Sequence, residues 1–234
     1  MRLLSMFLIT TAALAQPPMR FDARHDHLRR FCAGSLTVDE QGVRFESETK
    51  KKHSWQTTYQ DARQIQMLDN GEFLLLTYKD NKWRLGADRE FHLRVVDKQF
   101  AAQVGPWLER RLQRRFVSGW ADAAQPLWQL PVKRLLRFSG SEGVLVVAED
   151  QIRYRSDKPG QSRAWLFSDI DSISTSDPYQ FTVTSFERAR GHYGDRKSFN
   201  FQLKQPLSEE RYNELWLRLE KSKGLQIQER RMTP

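Results

Sequence analysis

Residues 59–67 read YQDARQIQM, and residues 167–175 read FSDIDSIST. Each phrase places an aromatic residue two positions before an aspartate, and an isoleucine four positions after it. Tyr59, Asp61 and Ile65 thus correspond to Phe167, Asp169 and Ile173. The correspondence continues outward. Upstream, Gly34, Leu36, Val38, Val43 and Phe45 match Gly143, Leu145, Val147, Ile152 and Tyr154. Downstream, Phe73, Leu75, Tyr78, Phe91, Leu93 and Val95 match Phe181, Val183, Phe186, Phe199, Phe201 and Leu203. The offset shifts by a single residue between SETKKKHS (47–54) and SDKPGQS (156–162), polar turn-like stretches where length changes are tolerated.

Most matched positions alternate, and period-two apolar spacing marks strands with one buried face. The repeat is too long for a solenoid or propeller unit, so each copy is expected to be a domain of several short strands. Each copy ends in a helical pattern. In the second, Ser208 is the expected N-cap, Glu209 and Glu210 favour the first turn, and Tyr212, Leu215, Trp216 and Leu219 form an apolar stripe that Gly224 ends. In the first, Val104, Trp107, Leu108 and Leu112 form a similar stripe. Gly105-Pro106 argues for a helix that begins with Pro106 in its first turn. The helix tryptophans are expected in the core rather than on a ligand platform.

Strands followed by one amphipathic helix resemble the pleckstrin-homology-like superfold, and the local phrase looks like its bacterial and GRAM-type branches. The residues carrying the likeness are Gly42-Val43 with Tyr59, Asp61 and Ile65, and Ile152 with Phe167, Asp169, Ile170 and Ile173. The resemblance implies a mainly β, α+β architecture of two tandem small barrels, each capped by a helix. The expected layout is a signal peptide over 1–15, a flexible mature N-terminus over 16–27, repeat 1 over 28–116, a packed linker over 117–133, repeat 2 over 134–224 and a tail over 225–234. It also implies a binding domain for lipids, peptides or proteins rather than an enzyme. A Lys-x(n)-Arg-x-Arg headgroup motif cannot be placed on the first hairpin. The Lys50-Lys51-Lys52 run has no counterpart in Ser156–Gly160.

The start of the chain has the order of a secretory signal: Arg2, an apolar run from Leu3, and Ala13-Leu14-Ala15 before Gln16. Cleavage near Ala15 and an extracytoplasmic, periplasmic or secreted location are expected. The run is short of the roughly 20 residues of a membrane span. The chain of 234 residues carries a net charge of +9. That balance suits an acidic partner. After export, that partner is an anionic envelope component rather than nucleic acid, with peripheral membrane contact conceivable on the same grounds.

Two basic stretches, KDNKWRLGADR (79–89) and RARGHYGDRK (188–197), occupy equivalent places in the two copies. Each sets an aromatic among cations, as an anionic or interfacial surface would want. The candidates are Lys79, Lys82, Trp83 and Arg84, with Arg188, Arg190, Tyr193, Arg196 and Lys197. The linker's Trp120, Leu127, Trp128 and Leu130 call for cover.

No G-x-S-x-G, H-E-x-x-H, phosphate-cradling glycine loop or dinucleotide fingerprint occurs. Asp61 and Asp169 read as turn residues bonded to nearby backbone N–H groups. DARHDH gathers Asp22, His25, Asp26 and His27, but in a segment expected to be a solvated leader, so no metal site is expected. His53, His92 and His192 are scattered, and Cys32, the single cysteine, reads as a small core residue. No catalytic residue and no cofactor are expected. The expected function is that of a non-enzymatic exported adaptor for another envelope protein or peptide. The alternative is a binder of anionic surfaces through the basic loops.

Overall fold

The computed structural model describes residues 17–27, 30–81, 87–112, 116–119, 125–189 and 196–224. The predicted signal segment 1–15 lies outside them, as do Lys82, Trp83, Arg84, Arg190 and Tyr193. The fold is mainly β with two helices. Before the first helix come β1 (Met19–Asp26), β2 (Phe31–Val38), β3 (Gly42–Ser47), β4 (Trp55–Thr58), β5 (Ala62–Met67), β6 (Glu72–Asp80) and β7 (Asp88–Val95). Helix α1 (Phe100–Leu112) and the short β8 (Phe116–Ser118) follow. The second half contains β9 (Trp128–Leu135), β10 (Gly140–Val147), β11 (Gln151–Ser156), β12 (Arg163–Leu166), β13 (Ile170–Ser174), β14 (Gln180–Arg188), β15 (Arg196–Leu203) and α2 (Glu209–Ser222).

All fifteen strands belong to one open sheet, ordered β13-β14-β15-β9-β10-β11-β12-β8-β5-β6-β7-β1-β2-β3-β4. Counted from its own first strand, each half runs in the order 5-6-7-1-2-3-4. Two tandem small barrels were expected; the ladder observed is open and runs through both halves. β8 makes the join. It pairs parallel with β5, from Ile65↔Phe116 to Met67↔Ser118, and touches β12 at Ala164↔Ser118. The outer edges of β5 and β12 would otherwise leave backbone donors and acceptors without ladder partners.

Most of the alternating positions point inward. Leu36, Val38, Val43, Phe45, Phe73, Leu75, Phe91, Leu93 and Val95 are buried, and so are Leu145, Val147, Ile152, Tyr154, Phe181, Val183, Phe199, Phe201 and Leu203. They fall into two apolar clusters, one per half. Each such side chain contributes about 1.5–3 kcal/mol on full burial, enough for the pattern to set strand register. Tyr78 departs from it and is exposed. The paired glycines follow from close strand contact: a Cβ on Gly34 would strike the Glu46 carbonyl and the Phe45 ring, and one on Gly143 the Arg155 carbonyl and the Tyr154 ring.

Four readings of the sequence change. The segment over 16–27 is not a free leader, because β1 occupies most of it with Phe21, Ala23 and His25 facing inward. β9 begins at Trp128, inside the stretch read as linker, and buries Trp128, Leu130 and Val132 in the second core. Helix α1 starts at Phe100, not near Pro106. Burial of Phe100 and Val104 alongside Trp107, Leu108 and Leu112 outweighs the hydrogen bond that Pro106 cannot donate. In α2, Leu215 and Leu219 are buried but Trp216 is 41% exposed. Ser208 caps that helix as expected, accepting from the Arg211 N–H at 3.4 Å.

The opening phrase has a mechanical role. The Tyr59 hydroxyl donates to the Asp39 carbonyl at 2.7 Å and accepts from Trp107 Nε1 at 3.1 Å, which ties α1 to the sheet. Asp61 does not make the expected turn bond. Thr58 Oγ1 accepts from the Asp61 N–H at 3.2 Å, and the Asp61 carboxylate faces Lys79 at 3.5 Å. Tyr59→Phe is expected to cost about 1–2 kcal/mol, because it strands a partly buried donor and acceptor together. Chemical denaturation of the variant beside Phe167→Tyr would show it, since the second copy has no such hydroxyl to lose.

Candidate functional site

The two halves enclose a cleft of about 1040 Å³. The wall from the first half is the outer face of β5, β6 and β7. Strand alternation turns Gln64, Gln66, Glu72, Leu74 and Leu76 of β5 and β6, and Glu90 and His92 of β7, toward it. The facing wall carries Arg163, Arg188 and Lys197 with Gly160 and Gln161. One wall is therefore acidic, through Glu72, Asp88 and Glu90, and the other basic.

The acidic groups are held by neighbours. Asp88 pairs with Arg63, Glu72 lies 3.8 Å from Arg94, and Glu90 lies 3.2 Å from His92 Nε2. Behind the basic wall, the carboxylate of Glu187 is 3% exposed. It accepts from Lys197 Nζ at 2.9 Å and Trp165 Nε1 at 3.0 Å, with Arg163 Nε at 3.9 Å. Burial alone would raise the Glu187 pKa; the Lys197 and Arg163 charges and the two hydrogen bonds bring it below the ordinary carboxylate value. Burial pulls the Lys197 ammonium below its usual value, and the Glu187 charge restores only part of that. Nearby, burial and then the Arg163 charge lower Arg134 to about 10. Arg134 donates to the Gln161 carbonyl at 3.0 Å and stacks 4.7 Å above Phe199.

The halves also touch through turns. The Gly160 N–H donates to the Asp69 carboxylate, and the Arg188 N–H donates to Gln64 Oε1 at 3.4 Å. Gly160 has a φ of +78°, and a Cβ there would sit 2.6 Å from Asn70 Nδ2, so this contact suits glycine.

The described members of the predicted cationic set occupy different environments. Arg188 and Lys197 line the cleft; Lys79 and Arg196 do not. Lys79 faces Asp61, Arg196 faces Asp171 at 3.6 Å and lies over Phe186, and Lys197 is the counter-ion of buried Glu187. The flanks of both basic stretches, Asn81, Ala87 and Asp88 from one and Arg188, Ala189 and Lys197 from the other, border the same cleft. Sequence reasoning missed Arg163 and Glu187; an Arg and a Glu at inward strand positions were the available signal.

The DARHDH cluster divides by strand alternation. Asp22 and Asp26 are exposed on β1, whereas His25 is buried and His27 half-buried. Cys32 lies opposite His25 on β2, and His53 stands beside His27 with ring centroids 4.4 Å apart. His92 remains in the cleft, and His192 is outside the described residues.

No family model matches the chain, and no curated protein does. Among solved structures, it is similar to the C-terminal domain of an unknown protein from Leishmania infantum. The TM-score is 0.31 at 10% identity over 41% of this chain and 84% of that one. It is also similar to the Spt16D Pob3N heterodimer, with TM-score 0.34 and 9% identity over 73% of this chain and 84% of that one. Neither likeness is strong enough to carry an argument about activity. No helix among the described residues is long and apolar enough to cross a membrane.

Proposed function

We propose that the chain is a pair of tandem pleckstrin-homology-like units, fused through β8, that acts as a non-enzymatic exported adaptor and takes a polypeptide segment of another envelope protein in the cleft. The observation carrying this reading is the opposition of an acidic and a basic wall over Leu74 and Leu76. A single-sign polymer is repelled by one wall, whereas an extended peptide bearing both charges, with an apolar residue between them, meets complementary groups on each side. The repeated strand order supports the tandem-unit reading.

The test is fluorescence anisotropy with extended peptides of mixed Lys/Glu character against all-acidic and all-basic controls. The mixed peptides are expected to bind, and Arg188→Glu is expected to weaken them about tenfold or more. Arg188 serves because it is the cleft cation without the buried carboxylate that holds Lys197 in place. Binding of the all-acidic peptide alone would overturn the proposal.

A second reading has its own support. The two basic stretches border one cleft, as concerted binding of an anionic surface requires. It predicts co-sedimentation with anionic vesicles at low salt and steep loss as salt screens the contacts over about 8–10 Å. The carboxylate partners of Lys79, Arg196 and Lys197 count against it. Export itself is checked by N-terminal sequencing of extracytoplasmic material, expected to begin near Gln16.

A further inference from the structure

The turn end of the β1–β2 hairpin gathers a set of side chains that the cleft does not use. His25 lies on the inward face of β1, and His27 follows just past the strand's last residue, Asp26, where its N–H donates to the Arg30 carbonyl at 2.7 Å. Antiparallel register places Cys32 directly across from His25. One ligand-capable atom from each of His25, His27 and Cys32 lies within 4.8 Å of the other two. The Cys32 sulfur is 3.3 Å from His27 Nε2 and 4.0 Å from His25 Nδ1. For a tetrahedral zinc ion with ordinary Zn–S and Zn–N bonds, neighbouring sulfur and nitrogen ligands lie roughly 3.5 Å apart. The observed spacings bracket that value.

A fourth group is at hand. His53, in the short 3-10 turn Lys51–His53, stands against His27, and its buried Nδ1 has no hydrogen-bond partner among the described residues. A buried imidazole nitrogen is normally satisfied, so the unpartnered His53 Nδ1 is available as a further donor next to His27. Behind the cluster, Phe45, Trp55 and Phe91 pack around His25. This apolar backing excludes water from one side, as around ordinary metal centres.

We propose that Cys32, His25 and His27 form a binding site for a divalent transition metal of the zinc type, with His53 as the fourth ligand after a side-chain rotation. A thiolate with imidazoles is a borderline-soft donor set that selects such ions over calcium or magnesium. Binding releases the Cys32 proton, so the ion's two positive charges are reduced to one at the site. That matters because Arg89, Lys50 and Lys52 all place positive charge nearby. The site pins the β1–β2 hairpin to the turn before β4 and is independent of the cleft reading.

The competing account is a plain thiol–imidazole hydrogen bond with stacked histidines. Metal titration separates the two. The reduced, metal-stripped full chain is titrated with zinc(II) against a chromophoric chelator near neutral pH, and in parallel with cobalt(II). One equivalent of zinc is expected, together with a thiolate-to-cobalt charge-transfer band. Cys32→Ser is expected to abolish the band. His27→Gln, at a half-exposed position, is expected to lower zinc affinity by at least about 100-fold, beyond the 10–100-fold typical of losing an outer-shell partner. Asp22→Asn, at an exposed position of β1, serves as a control that leaves both unchanged. Absence of stoichiometric zinc binding by the wild type would overturn the proposal. So would wild-type affinity in a His27→Gln chain whose far-ultraviolet circular dichroism is native, a criterion that holds even if Cys32→Ser does not fold.

Discussion

Glu187→Gln is expected to destabilise the protein by about 3–5 kcal/mol, the range for breaking a buried ion pair from one side. The substitution keeps shape and removes charge. Lys197 and Arg163 then remain beside Arg134 behind the cleft with no anion among them, and Trp165 loses its ionised acceptor. Lys197→Met is expected to cost less, because Arg163 and Trp165 still address the carboxylate. Urea denaturation of both variants measures the difference, and a Glu187→Gln midpoint close to wild type would refute the account. The pH dependence has a definite sign. Glu187 has a folded pKa below its unfolded value, so its contribution is fully present above the ordinary carboxylate range and is lost as pH falls through the depressed folded value. The gap between wild type and Glu187→Gln therefore narrows on acidification below that range.

Val117→Asp is the second large effect. Val117 is buried in β8, whose residues connect the β5 ladder to β12. An aspartate there either stays charged without a partner or takes up a proton; in both cases roughly 3 kcal/mol or more is lost. Two cores flank this strand and neither cluster includes Val117. The damage should therefore fall on the join. Thermal unfolding followed by calorimetry is expected to resolve into two transitions, whereas Val117→Ala should keep a single shifted one. A single transition at the wild-type temperature in Val117→Asp would show that β8 contributes nothing to coupling.

Much of the sheet was legible because its core strands alternate strictly: Phe91, Leu93 and Val95, or Phe199, Phe201 and Leu203, admit one inward face and one register. β1 was not, although it alternates equally well. Its inward positions are Phe21, Ala23 and His25, and a buried histidine carries no apolar signal in a stretch dense with Asp and Arg. The same blind spot hid the His–Cys cluster, since Cys32 and His53 join it only through hairpin register and a turn. β8 was unreadable for another reason: a three-residue parallel pairing leaves no periodicity. The cleft depends on that pairing, so its basic residues could be recognised as cations but not assigned partners. Lys197 and Lys79 illustrate this, since each is distinguished only by the acid facing it.

The two ends of the sheet are finished differently. On β13, the carbonyls of Ile173 and Asp171 accept from the Tyr212 hydroxyl and the Lys223 ammonium of the final helix and its cap. At the other end, β4 is paired through β3 and, among the described residues, by no further strand. Its main chain is thus an invitation for the ladder to continue into another molecule, the route by which native sheets polymerise. β4 is only four residues long, and the exposed Lys50, Lys51 and Lys52 stand two residues before it. Two copies approaching edge to edge would bring these lysine runs together. Like-charge repulsion would then act where backbone hydrogen bonding is on offer, which is how charges flanking an edge strand discourage edge-to-edge growth of a sheet.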